Sequence, residues 1–227
     1  MASESSRATA PDVAGLAIGV LGGTGDQGRG LARRLSMAGH RVIIGSRKAE
    51  RAAAAAAELG DGLLAGAENR DAAAAADVVI AAVPWEGHRH LLLSLAEQLA
   101  GKVVIDCVNP MGFDSHGASA LPVPEGSAAE QAAAVLPDST VVGAFHHVPA
   151  GLLLAPAVAA VDMDVLVLGD SRPATDLVIA LVGEIPGMRG IYGGRLRNCG
   201  QVEALTANLV SINRRYHAHA GIRITDV

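Results

Sequence analysis

Residues 18–30 read IGVLGGTGDQGRG, an apolar run that breaks into glycines. Within this stretch Gly23, Gly25 and Gly28 have the Gly-x-Gly-x-x-Gly spacing. The pattern predicts a buried first strand, a tight turn and the start of a helix whose free N–H groups can bind a pyrophosphate. Because the same spacing also occurs in ordinary glycine-rich turns, the rest of the chain must decide whether a dinucleotide binds here.

The remainder of the chain alternates short apolar runs with helical patterns. Strands are predicted at residues 17–21, 41–45, 62–66, 77–83, 102–107, 140–145 and 165–168. Helices are predicted at residues 27–38, 48–59, from 69, from 85 to about 99, 127–136, 172–185 and from about 196 onwards. A stretch rich in Gly, Pro and Ser at 109–126 is predicted to be a long functional loop. This alternation is typical of a Rossmann fold, a doubly wound α/β architecture with a mostly parallel sheet.

Composition and charge narrow the class of protein. The 227 residues are 50% hydrophobic and 18% charged, which predicts one globular core. The net charge of −5 argues against nucleic-acid or anionic membrane surfaces, since proteins that bind them are usually basic there. Cys107 and Cys199 lack a Cys-x-x-Cys spacing and are interpreted as reduced thiols. We expect a cytoplasmic protein that binds neither nucleic acid nor membranes.

The sequence after the second predicted strand indicates which dinucleotide binds. An NAD site has a carboxylate here, roughly 20 residues past the glycines, that binds the ribose hydroxyls. This chain instead has Gly-Ser-Arg-Lys at 45–48, with Arg51 one helical turn further. A hydroxyl and two guanidinium groups at a helix start, Ser46, Arg47 and Arg51, suit a phosphate on the ribose. The pattern favours NADP. The alternative is that residues 46–51 are simply a solvated helix start, since Glu50 makes the charge of this segment mixed.

Two classes of dehydrogenase are disfavoured by residues that the sequence lacks. Short-chain dehydrogenases protonate a carbonyl with a Tyr-x-x-x-Lys pair, but neither Tyr192 nor Tyr216 is followed by a lysine at that spacing. Hydroxyacid dehydrogenases of the helical-tail type use a lysine beyond the nucleotide domain, and the only lysines are Lys48 and Lys102. What remains is a reductase whose acceptor takes a hydride with little help from a side chain, which points to a conjugated cofactor.

Four segments resemble the NADPH-dependent reductases of the deazaflavin coenzyme F420. They read GVLGGTGDQGRGLARRL, VIIGSRKAER, AAVPWEGH and TVVGAFHHVPA, and the resemblance runs from about Ala17 to the C-terminus. It implies a Rossmann domain with a small C-terminal helical or α+β part. It also implies an oxidoreductase that moves a hydride reversibly between NADP(H) and F420, by stacking two flat rings and excluding water.

The resemblance also implies roles for individual residues. The pyrophosphate turn corresponds to Gly23, Thr24, Gly25, Asp26, Gln27 and Gly28, and the ribose-phosphate site to Ser46, Arg47 and Arg51. The nicotinamide contacts correspond to Val83, Pro84, Trp85, Asn109 and Pro110. The deazaflavin contacts correspond to His146, Val148, Pro149, Ala150, Ala220 and Gly221. Two departures concern the deazaflavin pocket: residues 106–109 are more polar than the family pattern, and His147 stands where a smaller residue is usual.

The histidines are the remaining candidates for chemistry, although no essential acid or base is expected. His146 is interpreted either as a hydrogen-bond donor or proton source for the deazaflavin or as a structural residue. It adjoins His147 at a predicted strand end, where neighbours point to opposite faces, so no metal site is expected. Two further pairs, each two residues apart on predicted helices, are interpreted as surface or interface residues: His88 with His90, and His217 with His219.

The expected organisation is a disordered tail at 1–15, an NADP-binding Rossmann domain at 16–150 and a C-terminal part at 151–227. That last part is expected to complete the deazaflavin pocket. The long C-terminal helix has more apolar residues than so small a chain can cover, which predicts a homodimer. Two alternatives stay open: an NADPH-dependent imine or flavin/ferric reductase of the same superfamily, and a non-catalytic NADP(H) sensor.

Overall fold

A computed structural model describes residues 11–60 and 62–227. Most of the expected N-terminal tail, residues 1–10, lies outside the described residues. In the part of that segment that is described, Val13 is only 5% exposed, so the chain is already packed shortly before the first strand.

The first half of the sheet follows the predicted alternation closely. Its elements are β1 (Ala17–Leu21), α1 (Asp26–Met37), β2 (Arg41–Ser46), α2 (Ala49–Leu59), β3 (Leu64–Glu68) and α3 (Asn69–Ala75). The alanine-rich sequence of α2 forms a helix because alanine loses almost no side-chain entropy there. Gly60 ends it in the left-handed conformation, with φ of 70°. The third strand begins two residues later than the predicted 62–66.

The next segment contains a hairpin that the sequence did not predict. Its elements are β4 (Val78–Ala81), α4 (Trp85–Ser94), α5 (Ala96–Leu99), β5 (Val103–Asp106), β6 (Met111–Asp114), β7 (Gly117–Ala120), α6 (Ala128–Val135) and β8 (Thr140–Gly143). The prediction of a long loop at 109–126 is therefore wrong in part, because β6 and β7 pair antiparallel there. A two-stranded ribbon of four residues per strand is too short to give a clear alternating pattern.

The C-terminal part adds two strands to the same sheet. Its elements are α7 (Ala150–Leu154), β9 (Met163–Gly169), α8 (Arg172–Gly183), β10 (Met188–Gly194), a 3₁₀ turn (Leu196–Asn198) and α9 (Cys199–Tyr216). The helix α7 and the strand β10 were not predicted. The sequence of β10, MRGIYGG, is rich in glycine, and its pairing with β9 rather than its own propensity makes it a strand.

Within the described residues, eight strands form one sheet in the order β10-β9-β8-β5-β4-β1-β2-β3. All neighbouring pairs are parallel except β8 and β9, which are antiparallel. Val20 of β1 is in register with Ile44 on one side and with Ile80 on the other. The strand order reverses at β1, which is the topological switch point where such folds bind ligands. The predicted Rossmann fold class is confirmed.

Helices cover both faces of the sheet, as the doubly wound architecture requires. Successive strand residues point to opposite faces. Val20 and Ile80 belong to one buried cluster, which includes Leu31 of α1. Leu21 and Val79 belong to the other, which includes residues of α3 to α6 and of α9. None of the described helices is both long enough and apolar enough to cross a membrane.

Candidate functional site

A cavity of about 1090 Å³ lies at the carboxyl ends of the parallel strands. Its lining includes one residue at the end of each of five strands: Gly22 after β1, Ser46 at the end of β2, Ala82 after β4, Cys107 after β5 and His146 after β8. Because carboxyl ends of parallel strands meet at one edge, the sheet itself gathers these positions. The cavity has the size of a site for large cofactors.

The glycine turn forms one end of this cavity. Gly22 has φ of +67°, and a side chain there would lie 2.5 Å from Cγ1 of Val83. The amide of Gly22 donates to Oδ1 of Asn69 at 3.2 Å, which holds the turn open. A Cβ atom on Gly28 would lie 2.6 Å from Cα of Gly23, so Gly28 lets α1 pack on the turn. The positive φ falls on Gly22, one residue before the motif that the spacing indicated.

The start of α1 is suited to bind an anion. Thr24, Gly25, Asp26 and Gln27 line the cavity. Gly25 stands at the N-cap and brings no side chain to satisfy the first N–H groups of the helix. A Cβ atom at Gly25 would meet no atom closer than 3.7 Å, so its backbone faces open space. Free helical N–H groups beside an open space are the features that a pyrophosphate needs.

The predicted ribose-phosphate residues lie together at the rim next to this turn. Ser46, Arg47 and Arg51 all line the cavity. Ser46 is buried, whereas Arg47 and Arg51 are exposed, and neither arginine forms an ion pair with the described residues. Two guanidinium groups without a carboxylate partner can bind a phosphate bidentately. These observations fit the adenosine half of NADP.

The wall after β4 is formed by Val83, Pro84 and Trp85, which all line the cavity. Pro84 precedes α4 and Trp85 is its first residue, so the ring projects from a helix start. The Trp85 ring lies 5.7 Å from the ring of His88, with an interplanar angle of 30°. The tryptophan is thus supported from behind by its own helix.

The wall after β8 is a tight turn that several elements hold. Phe145 is fully buried and has φ of 63°, a conformation that bulky residues rarely adopt. Its carbonyl accepts a hydrogen bond of 3.2 Å from Nε2 of Gln27 in α1. The next carbonyl, that of His146, accepts from Nδ2 of Asn109 at 2.7 Å and from the hydroxyl of Thr206 at 3.2 Å. Three separate elements therefore fix this turn.

His146 and His147 both line the cavity and are 3% exposed. They lie in a turn and not at a strand end, so the expectation of opposite faces does not apply. Burial lowers the pKa of each to about 4. Nε2 of His147 faces the amide of Leu166 at 3.3 Å and acts as the acceptor. Both imidazoles are neutral near pH 7, so His146 can donate a hydrogen bond but does not store a proton.

The end of the turn after β8 and the segment after α9 close the far side of the cavity. Val148, Pro149, Ala150 and Ala220 line it. The amide of Ala220 donates to Oδ1 of Asn213 at 2.6 Å, which ties the segment after α9 back onto that helix.

An ion-pair cluster anchors the segment that follows. The buried Asp164 of β9 accepts two hydrogen bonds of 2.8 Å from Arg189. It also accepts one of 2.8 Å from Arg223 and one of 2.7 Å from the amide of Ile224. The final residues are thereby fixed to the sheet.

Four predicted residues do not line the cavity. Gly23 and Gly28 pack on each other inside the turn. Pro110 is buried behind the wall, and a Cβ atom on Gly221 would lie 2.9 Å from Cε of Met163. The spacing of the motifs identifies the segments correctly but does not separate residues that face the cavity from residues that support it.

Other residues that line the cavity were not predicted. Four of them lie on one face of α9: Thr206, Leu209, Val210 and Asn213. Their spacing of three, four and seven residues is a helical stripe, and this signal was present in the sequence. The expectation that the C-terminal part completes the deazaflavin pocket did not extend to individual residues of α9. Cys107 also lines the cavity, and burial raises the pKa of its thiol, which donates to the carbonyl of Ala81 at 3.1 Å.

One interpretation of the histidines is wrong. His88 is not a surface residue: it is 0% exposed and lies 2.6 Å from Asp106. The helix α4 turns this face toward β5 and α6, which the spacing of His88 from His90 does not reveal. His217 and His219 are exposed, as predicted. In the part of the chain that the structure describes, no group of three or more His, Cys, Asp or Glu side chains could hold a metal ion.

Comparisons with known proteins identify the relatives of this chain. Residues 17–110 match the family model for NADP oxidoreductases dependent on coenzyme F420. The chain is 42% identical over 221 residues to the F420-dependent NADP reductase of Methanothermobacter marburgensis, covering 92% of this chain and 98% of that protein. It is 39% identical over 221 residues to the F420-dependent NADP reductase of Methanocaldococcus jannaschii, covering 92% and 98%.

A solved structure has a similar fold over nearly the whole chain. The crystal structure of a protein from Arthrobacter sp. FB24, assigned as an F420-dependent NADP reductase, superposes with a TM-score of 0.80. It is 29% identical, and the match covers 93% of this chain and all of that one, 100%.

Proposed function

The chain belongs to the family of F420-dependent NADP reductases, and from this premise we propose which parts of its cavity place the two cofactors for hydride transfer. The enzyme is an oxidoreductase, and its cofactors are NADP and coenzyme F420. The observation that supports this placement of the two cofactors is one continuous cavity. The anion-binding glycine turn forms one end of it, and the turn after β8 forms the wall at the other end. One cavity of this kind brings two ligands into contact.

The NADP half of the cavity runs from β2 to β4. The N–H groups at the start of α1 bind the pyrophosphate. Ser46, Arg47 and Arg51 bind the ribose phosphate. Val83, Pro84 and Trp85 then contact the nicotinamide, because they follow β4, the next strand of the sheet beyond β1. Gly23 and Gly28 support this half from inside the turn.

The deazaflavin half lies between the turn after β8 and the C-terminal part. His146, Val148, Pro149, Ala150 and Ala220 line this side and contact the second ring, while Asn109 lines the nicotinamide side and donates across to the carbonyl of His146. Pro110 is buried behind Asn109 on the nicotinamide side, and Gly221 packs against Met163 beside Ala220. Residues 16–150 and 151–227 differ in this proposal by the cofactor that they bind. They are not separate folding units, because β9 and β10 continue the same sheet beyond residue 150.

The protein contributes positioning rather than proton transfer. When both cofactors are bound, the reduced nicotinamide supplies the hydride and the central-ring carbon of the deazaflavin accepts it. The residues of this chain hold the two rings in contact and exclude water from between them. His146 is neutral at pH 7 because burial lowers its pKa to about 4, so it orients the second ring by a hydrogen bond at most.

A spectrophotometric assay tests the proposal. Purified protein with NADPH and F420 should bleach the visible absorbance of the deazaflavin, and one F420 should be reduced for each NADPH that is oxidised. Because the reduction consumes a proton, it should be favoured at acid pH and the reverse reaction at alkaline pH. Turnover of an imine, a flavin or ferric iron with no F420 turnover would support the alternative reductases. Tight NADPH binding with no turnover of any acceptor would support the sensor.

A homodimer in the cytoplasm completes the proposal. Leu205, Ile212 and Tyr216 lie seven and four residues apart on α9 and are 36%, 40% and 71% exposed. An exposed apolar stripe of this kind favours a second copy as partner. The two free, buried thiols suit a reducing compartment. Elution as a monomer at micromolar concentration would contradict the dimer.

A further inference from the structure

A buried ion pair lies directly behind the wall of the cavity. His88 in α4 and Asp106 at the end of β5 are both 0% exposed. Nε2 of His88 lies 2.6 Å from Oδ2 of Asp106. Nδ1 of the same ring lies 3.1 Å from Oε1 of Gln131 in α6. Neither His88 nor Asp106 lines the cavity itself.

The hydrogen bonds around His88 stabilise its protonated form. The carboxylate of Asp106 can only accept, because an ionised carboxylate has no donor. Nε2 of Gln131 donates to Glu125 at 3.2 Å, so the amide oxygen of Gln131 is the atom that faces the ring. Acceptors therefore face both ring nitrogens, an arrangement that stabilises the imidazolium form of His88.

The charges that face His88 also favour the protonated form of its ring. Burial alone would lower its pKa, but the charge of Asp106, the hydrogen bonds that the ring donates to Asp106 and Gln131, and the charge of Glu203 in α9 raise it above its ordinary value. Glu203 is held in place by the amides of Ala128 and Ala129 at 2.9 and 3.2 Å. Beyond Gln131, the charge of Glu125 is paired with Arg89 at 2.6 Å.

The pair touches two walls of the cavity at once. Oδ1 of Asp106 accepts a hydrogen bond of 3.0 Å from the amide of Val108, which lines the cavity after β5. The ring of His88 lies 5.7 Å from the ring of Trp85, which lines the cavity after β4. A cation beside an indole face is attracted to it. The walls after β4 and β5 are thus joined through one imidazolium.

We propose that His88 and Asp106 are positioning residues, which hold Trp85 and residues 107–109 where the nicotinamide must meet the second ring. The proposal rests on the function proposed above. The protonated ring of His88 binds the carboxylate of Asp106 and lies beside the ring of Trp85, with 5.7 Å between the ring centroids. Loss of either charge leaves the other buried without its partner, so the two walls separate and the rings lose alignment.

Nuclear magnetic resonance of the ring nitrogens tests the protonation state without any cofactor. At pH 7.5 the wild-type protein should show His88 with both nitrogens protonated. Asp106→Asn removes the charge that raises the pKa, so burial should leave His88 neutral in that variant at the same pH. A neutral His88 ring in the wild-type protein would overturn the proposal.

Single-turnover kinetics test the positioning role. Asp106→Asn and His88→Gln should each slow hydride transfer on the order of 10- to 100-fold, with the Kd of NADPH changed by about twofold at most. His116→Gln, at a residue 92% exposed in the turn between β6 and β7, is the control and should match the wild type. A lower Tm with an unchanged transfer rate would reduce the pair to a structural role and contradict the proposal.

A third variant covers the case in which these two fail to fold. Gln131→Met removes the acceptor at Nδ1 without touching the ion pair or the cavity, and should lower the pKa of His88 measured by magnetic resonance. An unchanged pKa in this variant would contradict the assigned hydrogen bonds. If wild-type protein does not reduce F420 at all, the proposed function fails, while the ring state of His88 still tests the pair.

Discussion

Nδ2 of Asn109 donates a hydrogen bond of 2.7 Å to the carbonyl of His146, joining the segment after β5 to the turn after β8. The two residues follow neighbouring strands of the sheet, β5 and β8, and line the same cavity. The contact links the side proposed for the nicotinamide to the side proposed for the deazaflavin. The hydroxyl of Thr206 on α9 reaches the same carbonyl at 3.2 Å. The relative placement of two rings therefore depends on three chain segments at once.

Removal of the two rim arginines should change the choice of nucleotide. Arg47→Ala with Arg51→Ala should raise the KM for NADPH by roughly 10- to 100-fold, since charge-assisted hydrogen bonds to a phosphate are lost. The KM for NADH should change little, because NADH has no such phosphate. Steady-state kinetics with both nucleotides make the comparison.

The matched control for this variant is Arg172→Ala, at an exposed arginine that begins α8 and pairs with Asp176. It should leave both KM values unchanged. Equal losses for NADPH and NADH in the rim variant would mean that the ribose phosphate binds elsewhere.

Gly28→Ala should damage the nucleotide site through sterics alone. The new Cβ atom would lie 2.6 Å from Cα of Gly23, so the turn or α1 must shift. We expect a loss of stability of about 1–3 kcal/mol, as for overpacked sites. NADPH affinity should fall on the order of 10-fold or more, measured by titration.

Gly183→Ala is the control for the glycine substitution. It stands at the end of α8, and a Cβ atom there meets no atom within 4 Å. Alanine should be neutral or slightly stabilising in this helix. Normal stability and affinity in Gly28→Ala would contradict the close packing of Gly28 on Gly23.

Asp164→Asn should loosen the C-terminal segment and weaken the deazaflavin side selectively. The carboxylate pairs with Arg189 and Arg223, and its contacts hold the residues that follow Ala220. We expect a higher KM for F420, roughly 10-fold, with the Kd of NADPH unchanged. Asp170→Asn, in an exposed pair with Arg195, is the control. A parallel loss of NADPH binding would place this segment at the nucleotide instead.

Acid should destabilise the protein through the buried histidines. Burial lowers the pKa values of His146 and His147 to about 4, from 6.5 when exposed. Between these values the unfolded state binds more protons, so stability falls as pH decreases from 6.5 to 4, by roughly 3 kcal/mol for each histidine. Glu203 has the opposite sign, because burial raises its pKa to about 7 from 4.5, and it offsets part of the loss.

Chemical unfolding at pH 7 and pH 4.5 measures how much the free energy of unfolding falls between the two pH values. His147→Gln should lose less stability than the wild type between the two values, and the exposed His116→Gln should keep the wild-type slope. An identical slope in all three proteins would mean that His147 is protonated or accessible in the folded state.

The sequence predicted the fold and most of the segments around the cavity. Glycine spacing, buried strands and the absence of a carboxylate after β2 each depend on local sequence, and parallel strands bring their ends together automatically. Contacts between segments that are far apart in the sequence could not be predicted in this way. The burial of His88 depends on where α4 packs, and the strand β10 exists because β9 lies beside it. The role of Thr206 depends on α9 crossing behind the turn of His146.

Transfer of label from NADPH to F420 tests whether the hydride passes directly between the two rings. NADPH with deuterium at the transferred position of the nicotinamide is mixed with enzyme and F420, and the reduced deazaflavin is analysed by mass spectrometry. If the two rings meet in one cavity that excludes water, the deuterium should appear on the central-ring carbon of the deazaflavin in a one-to-one ratio. Reduced F420 without deuterium, or no reduction despite bound NADPH, would contradict the account.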